Sequence, residues 1–221
     1  MKQWKTITAI AAMSVAAIGL ATTGQGQQNA MTFFVTSVNA GKGADFGGLA
    51  GADAYCQKLA SDAGSSGKTW RAYLSQTATG GAQAVNARDR IGKGPWQNAK
   101  GVTVAKELED LHNDPNINKD TALDEKGNPI KTRESGTNEH DILTGTQMDG
   151  TAYAAGEKDM TCGNWTKGGE GSAVVGHHDR SGLSDTKEAK SWNSSHATRG
   201  CDMTSLRATG GGGLIYCFAA N

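Results

Sequence analysis

The sequence predicts a mixed α+β fold in which a small core is wrapped in loops and held by disulfides. Three observations carry that expectation. The stretch 49–63 repeats apolar residues at three- and four-residue spacings, as an amphipathic helix does, while 31–38, 70–74 and 214–219 are short runs with strand patterning. Glycine is abundant, at 31 residues against 3 prolines, and hydrophobic residues make up only 37 %, a balance that favours long loops over a helical bundle. Four cysteines, Cys56, Cys162, Cys201 and Cys217, follow an N-terminal leader and include no C-x-x-C pair.

The leader reads MKQWKTITAIAAMSVAAIGLATTG, with Lys2 and Lys5 ahead of an apolar run from Ile7 to Ala21 and then small residues. That is the layout of a secretory signal peptide over 1–21, cut after Ala21 or Gly24. A retained anchor is the competing reading, but the run is alanine-rich and shorter than the ~20 residues a membrane helix needs. No cysteine precedes Cys56, so a lipid-modified N-terminal cysteine is not expected, and no later stretch is apolar enough to span a bilayer. The expected location is therefore secreted, periplasmic or in the cell envelope. Residues 22–30 form a polar linker, and 31–221 have the length of one domain. The 22 basic and 22 acidic residues balance, and losing Lys2 and Lys5 leaves a net charge of about minus two. Neither nucleic acid nor an anionic membrane surface is an expected partner of such a chain.

In chain order, Met31–Val38 (MTFFVTSV) is the first strand and the glycine loop NAGKGADFGG follows it. The first helix spans Leu49 to Ala63. Its buried stripe is Leu49, Ala52, Cys56, Leu59, Ala60 and Ala63; Asp53, Gln57, Lys58 and Asp62 lie away from the stripe or on its edge, and Gly64 closes the helix. In WRAYL, Trp70, Ala72 and Leu74 face the core and Arg71 and Tyr73 face away. A turn or short helix is expected around Val85–Ile91, then a Gly-Pro loop, then a second helix from Val104 to His112 with Val104, Leu108 and Leu111 inside. Residues 113–141 are charged, nearly free of large apolar side chains and punctuated by turn signals, which predicts an excursion over the surface. Asp141–Gly145 is a short strand. LIYCFA is the last one, with Leu214, Tyr216 and Phe218 alternating against Ile215 and Cys217.

Four cysteines in an exported chain allow three disulfide pairings, each closure being worth about 2–4 kcal/mol. A thiolate metal site is the competitor, but an oxidising compartment and the missing C-x-x-C spacing favour disulfides.

The order of these features resembles the C-type lectin-like fold. GADAYCQKLASDAGSSGKTWRAYLS is similar to the corresponding helix and strand of endostatin, the C-terminal module of certain collagens, and of endostatin-like outer-surface proteins of bacteria. The resemblance continues through RDRIGKGPW, DILTGTQMDGT, CGNWTKGGEGSAVVG and SWNSSH to LIYCFA, leaving 113–141 as an unmatched insertion. It implies a C-type lectin-like (endostatin-like) α+β fold of two helices, small antiparallel sheets and long loops. It also implies nested disulfides, Cys56 with Cys217 and Cys162 with Cys201. Sugar-binding members hold calcium through two triplets, and both are broken here: the X-Pro-Asn triplet is Asp114-Pro115-Asn116, far upstream of Cys162, and Trp192-Asn193 is followed by Ser194. The zinc site of endostatin uses histidines at the start of the module, and 31–45 contains none. No cofactor is expected from the family pattern, and calcium and zinc stay open.

The loop between the inner cysteines carries the remaining candidates. His177, His178 and Asp179, with His196 and Asp202 near in sequence, offer imidazole and carboxylate ligands of the kind zinc takes. Adjacent histidines point in different directions, however, so a bland reading has Asp179 and Arg180 pairing or capping the loop and one histidine solvated. Trp165 and Trp192, the latter beside Asn193, are candidates for stacking on a ligand, although tryptophans beside disulfides commonly fill cores. Asn164-Trp165-Thr166 and Asn193-Ser194-Ser195 match a glycosylation pattern by chance. Ser181 with the neighbouring histidines and Asp179 is too crowded for a catalytic triad, and no nucleophile elbow, zinc-protease helix or phosphate loop is present. The expected function is a binding module, not an enzyme, that recognises an extracellular glycan or a matrix or surface protein through the Cys162–Cys201 loops. A metal-dependent or histidine-based hydrolase and a structural envelope protein are the alternatives.

Overall fold

A computed structural model describes residues 30–156 and 158–220, together with Met1; the leader from residue 2 onward and nearly all of the linker lie outside the described residues. The elements in order are β1 (Phe33–Val35), α1 (Gly48–Asp62), β2 (Trp70–Ala72), β3 (Trp96–Gln97), β4 (Thr103–Ala105), α2 (Leu108–Asn113), β5 (Asp141–Leu143), the single turn α3 (Cys162–Trp165), β6 (Val174–His177), β7 (His196–Ala197), α4 (Met203–Thr209) and β8 (Gly211–Ala219). Short 3-10 turns occupy Ala87–Asp89 and Arg133–Ser135. The fold is mixed α+β, with four helices among the described residues where two were expected.

β8 is the spine of the main sheet. β1 runs antiparallel along one edge, placing Phe34 opposite Cys217, while β2 and β5 share the other edge. β2 is antiparallel to β8 and β5 parallel to it, so the expectation of purely antiparallel sheets is corrected. β6 and β7 extend the sheet beyond β5, and β3 pairs with β4 as a separate ribbon.

Strand alternation sorts the side chains into two cores, one on each face. Phe34, Trp70, Ala72, Ile215, Cys217 and Ala219 point to the side covered by α1. Phe33, Val35, Tyr73, Leu214, Tyr216 and Phe218 point to the other, where Trp96, Leu111 and Trp192 close over them. All nine residues of β8 are buried for this reason. Tyr73 does alternate with Trp70 and Ala72 as expected, but its side of the sheet is also core and the ring is fully buried.

In α1 the helical stripe holds: Ala52, Cys56 and Ala60 are buried and Leu49 and Leu59 pack on the same cluster. Gly64, with positive φ, follows the helix, and the amides of Ala63, Gly64 and Ser65 return to the carbonyls of Leu59, Ser61 and Ala60. Asp53, placed off the stripe from sequence, is buried. Its carboxylate accepts from Arg71 Nη1 at 2.8 Å, from Arg90 Nη2 at 2.7 and 2.8 Å, and from the Ala72 amide at 3.0 Å. The ion pairs are the reason a charge can sit there. The disulfides are Cys56–Cys217 and Cys162–Cys201, nested as the resemblance implied.

Two further expectations are corrected. Val104 belongs to β4 and not to a helix, which starts only at Leu108. The 113–141 stretch is not a bare surface excursion: Ile117, Ala122 and Ile130 belong to the second core, and Val35 donates its amide to Leu123 O. Glu125, buried there, accepts from the amide and hydroxyl of Ser37.

Candidate functional site

The antiparallel β5–β6 ladder sets Asp141 opposite His177 and Leu143 opposite Val175, and the β6–β7 ladder sets Val175 opposite His196. Residues 175 and 177 share a face, so the register puts Asp141 beside His177 and His196 diagonally next to it on the same face. His140, immediately before β5, closes the group by stacking its ring on that of His177 at 4.3 Å between centroids and 12° between planes. Glycine leaves the space for this: a Cβ on Gly210 would stand 3.0 Å from the His140 ring, and one on Gly211 3.2 Å from Asp141. On the far side, Gly176 admits the backbone of Trp192, whose carbonyl oxygen would be 1.9 Å from any Cβ there.

Three imidazole nitrogens converge on one carboxylate oxygen. Asp141 Oδ1 lies 3.0 Å from His140 Nε2, 3.3 Å from His177 Nε2 and 3.5 Å from His196 Nε2. The distances are those of ion pairs, but the approach directions leave both Asp141 oxygens and His177 Nε2 without an aligned hydrogen bond. The opposite nitrogens all face acceptors. His177 Nδ1 is 2.8 Å from Ala189 O, His140 Nδ1 is 3.3 Å from Asp179 Oδ1, and His196 Nδ1 is 3.3 Å from Ala197 O. A carbonyl or carboxylate oxygen only accepts, so each Nδ1 carries a hydrogen, and a ring that is neutral turns a bare Nε2 toward Asp141 whereas a protonated one turns an N–H.

Electrostatics follow from that crowding. Burial pushes the Asp141 carboxyl up, but the three histidines outweigh it and hold it well below the usual carboxylate range. Burial pulls His140 down, and its contacts with Asp141 and Asp179 more than reverse this, to about 9. Contact with Asp141 also raises His196. His178 is different: burial lowers it to about 4.

The cluster forms the inner wall of a cleft of about 760 Å³, within the ~300–1,000 Å³ usual for ligand sites. His140, His177 and His196 line it together with the exposed Arg133, Arg199 and Arg207, and Glu188 is the one carboxylate among its lining residues. None of these arginines is ion-paired to a carboxylate among the described residues. Ser195 Oγ, also in the cleft, lies 3.3 Å from His177 Nδ1, which by distance alone suggests a line from serine through histidine to Asp141. The line fails as a nucleophile and base, because the Nδ1 that would take the serine proton already holds one against Ala189 O.

Of the residues expected from sequence, His177 and His196 belong to the cluster and Asp179 supports it by orienting His140. His178 points away, with Nε2 3.4 Å from Lys131 O, as adjacent residues of a strand end should. Asp179 and Arg180 do not pair; Asp179 accepts from the Ser181 amide and Arg180 Nε donates to Lys190 O. Trp165, Trp192 and Asn193 are corrected as ligand contacts. Trp165 is fully buried and donates Nε1 to Ser75 O at 2.7 Å, and Trp192 packs among Tyr73, Tyr216 and Phe218. Asn193 spends its amide on Tyr73 Oη, Gln147 O and Met148 O, so it is closed to glycosylation as well as to ligand. Asp202 caps α4. His140 and Asp141 were missed, although a His-Asp pair at the head of the apolar run ILTG was there to read. No protein-family model and no curated protein matches this chain.

Proposed function

We propose that the chain is an exported lectin-like binding module that holds an anionic group of an extracellular or envelope glycan or protein in this cleft. The observation that carries the reading is the set of cations on the cleft: Arg133, Arg199 and Arg207 all line it, are exposed and have no carboxylate partner among the described residues. Arginine forks suit carboxylate, sulfate and phosphate oxygens, and exposed cations left unpaired around a concave site favour an anion over a neutral sugar face. The two disulfides, and the absence of a membrane-crossing helix among the described residues, fit an extracellular or envelope location. The burial of both candidate tryptophans moves recognition away from aromatic stacking and onto charge. Family membership in the C-type lectin-like group stays part of the proposal, supported by the helix, the terminal strand and the nested disulfides.

The test is an array of neutral, uronic-acid, sialylated and sulfated glycans with matrix proteins, probed with the wild-type protein and with Arg199→Ser/Arg207→Ser. Both arginines lie on the surface, so the double variant should stay within about 0.5 kcal/mol of wild-type stability. Expected is binding restricted to anionic ligands, weakened by salt and lost in the variant. Equal binding to neutral glycans, or binding unaffected by the substitutions, would sink the reading.

A further inference from the structure

We propose that His140, Asp141 and His177 form the core of a centre for a zinc-class divalent ion, bound through the two Nε2 atoms and Asp141 Oδ1, with His196 at the mouth turning in to supply the fourth ligand. The centre lies in the same cleft as the proposed ligand site, but the inference rests on the donor set and not on the arginines.

Four features of the cluster point to a cation. The first is spacing. Ligand atoms about 2.0–2.1 Å from a tetrahedral zinc stand about 3.3 Å from one another. The three nitrogens lie 3.0, 3.3 and 3.5 Å from Asp141 Oδ1. The ligand atoms of His140, Asp141 and His177 all fall within 4.8 Å of each other. The second is direction. Every Nδ1 is committed to an oxygen acceptor, two of them backbone carbonyls and one the Asp179 carboxylate, which is how the outer contacts of a metal-binding histidine fix its tautomer. The third is the unanswered polarity at the centre: both oxygens of the fully buried Asp141 and His177 Nε2 have no aligned hydrogen-bond partner. Bare lone pairs facing a carboxylate repel. Either extra protons or one divalent ion must sit between them, and the ion answers His140, Asp141 and His177 at once, with His196 Nε2, 3.5 Å from Asp141 Oδ1, next to it. The fourth is access. His140 and His177 are 5 % exposed at the side chain, whereas His196 is 38 % exposed and stands at the mouth, giving an ion a route in from the cleft.

The ligand types narrow the ion. Three imidazoles and one carboxylate suit zinc, cobalt(II) or copper(II), and they are wrong for calcium, which takes six to eight oxygens. The site differs from the family sites considered above in both residues and location.

The experiment treats the full-length protein with a chelator, dialyses it, and titrates zinc or cobalt(II) chloride in a non-coordinating buffer with no glycan or protein ligand present. Expected is one equivalent bound, with the intense visible absorption of four-coordinate cobalt. His177→Ala and His196→Ala should each weaken uptake by more than about 100-fold, since removing an outer contact alone costs about 10- to 100-fold. Asp179→Ala should fall in that smaller range, and His112→Gln, outside the cluster, should bind as wild type. His196 is at the mouth, so His196→Ala keeps the question answerable if a buried variant fails to fold. No uptake by the chelator-treated wild type, or unchanged uptake by His196→Ala, overturns the proposal. Arg199→Ser/Arg207→Ser should keep its metal even if it loses anionic ligands, which separates failure of this inference from failure of the ligand reading.

Discussion

Removing the outer disulfide should cost more than removing the inner one, by an amount set by loop length. Cys56–Cys217 spans 161 positions and Cys162–Cys201 spans 39. In the chain-entropy treatment, closures of these lengths stabilise the fold by about 5 and about 4 kcal/mol respectively. All four cysteines are fully buried, so replacing them by alanine also leaves small voids of about 1 kcal/mol per pair, similar for both. The perturbations are Cys56→Ala/Cys217→Ala and Cys162→Ala/Cys201→Ala, each with the other bridge intact. Urea unfolding followed by circular dichroism gives the free energies, and thiol titration of the unfolded proteins confirms that the remaining pair is oxidised. The outer variant should be the less stable by about 1 kcal/mol, and a total of about 6 kcal/mol would leave it marginal at 37 °C. If the outer pair costs less than about 2 kcal/mol, or less than the inner one, loop closure is not how these bridges act.

Other substitutions probe the packing and the buried charges. Asp53→Ala should cost about 3–5 kcal/mol, because it leaves the 11 % exposed Arg90 guanidinium without its carboxylate. Arg71→Ala, removing the 44 % exposed partner, should cost less than about 1 kcal/mol in the same unfolding assay. Gly176→Ala drives a Cβ into the Trp192 backbone and should destabilise by about 3 kcal/mol or prevent folding, read as loss of near-ultraviolet circular dichroism. In metal-free protein, burial keeps His178 neutral down to about pH 4, so the unfolded chain gains a proton first and stability falls as pH drops from about 6.5 to 4, by at most about 3 kcal/mol. His178→Leu should flatten that acid limb. His140 has the opposite sign: its stabilising contribution is complete below about pH 6.5 and is lost as pH rises through about 9.

What could be read from sequence was whatever a local period or spacing encodes. The Cys56 stripe and the alternation of 214–218 were legible because neighbours along the chain determine them. Asp53 was misplaced because what permits its burial is Arg71 and Arg90, 18 and 37 residues downstream. The parallel pairing of β5 with β8 left no local mark, since residues 141 and 211 are joined only by tertiary structure. The stretch 113–141 carries few apolar residues, and Ile117, Ala122, Leu123 and Ile130 have no period, yet nearly all the apolar side chains it has are buried. The site was half legible for the same reason. His177 and His196 stand in the segment between the inner cysteines, whereas His140 and Asp141 enter from another strand, and only the ladder register joins them.

The position of β8 has a consequence for how the chain is made. Translation delivers residues from the N-terminus, so the strand that β1, β2 and β5 all require is synthesised after every other element described here. Until it arrives, three apolar edges lack their partner and are open to wrong pairing. Cysteine order adds to this. Cys162 and Cys201 emerge before Cys217, so oxidation in order of appearance would couple Cys56 to the wrong thiol, and the native pairing must then be recovered by thiol–disulfide exchange. A host that supplies an oxidant without an isomerase should therefore accumulate misbridged chains in which Cys56 is joined to Cys162 and Cys201 to Cys217.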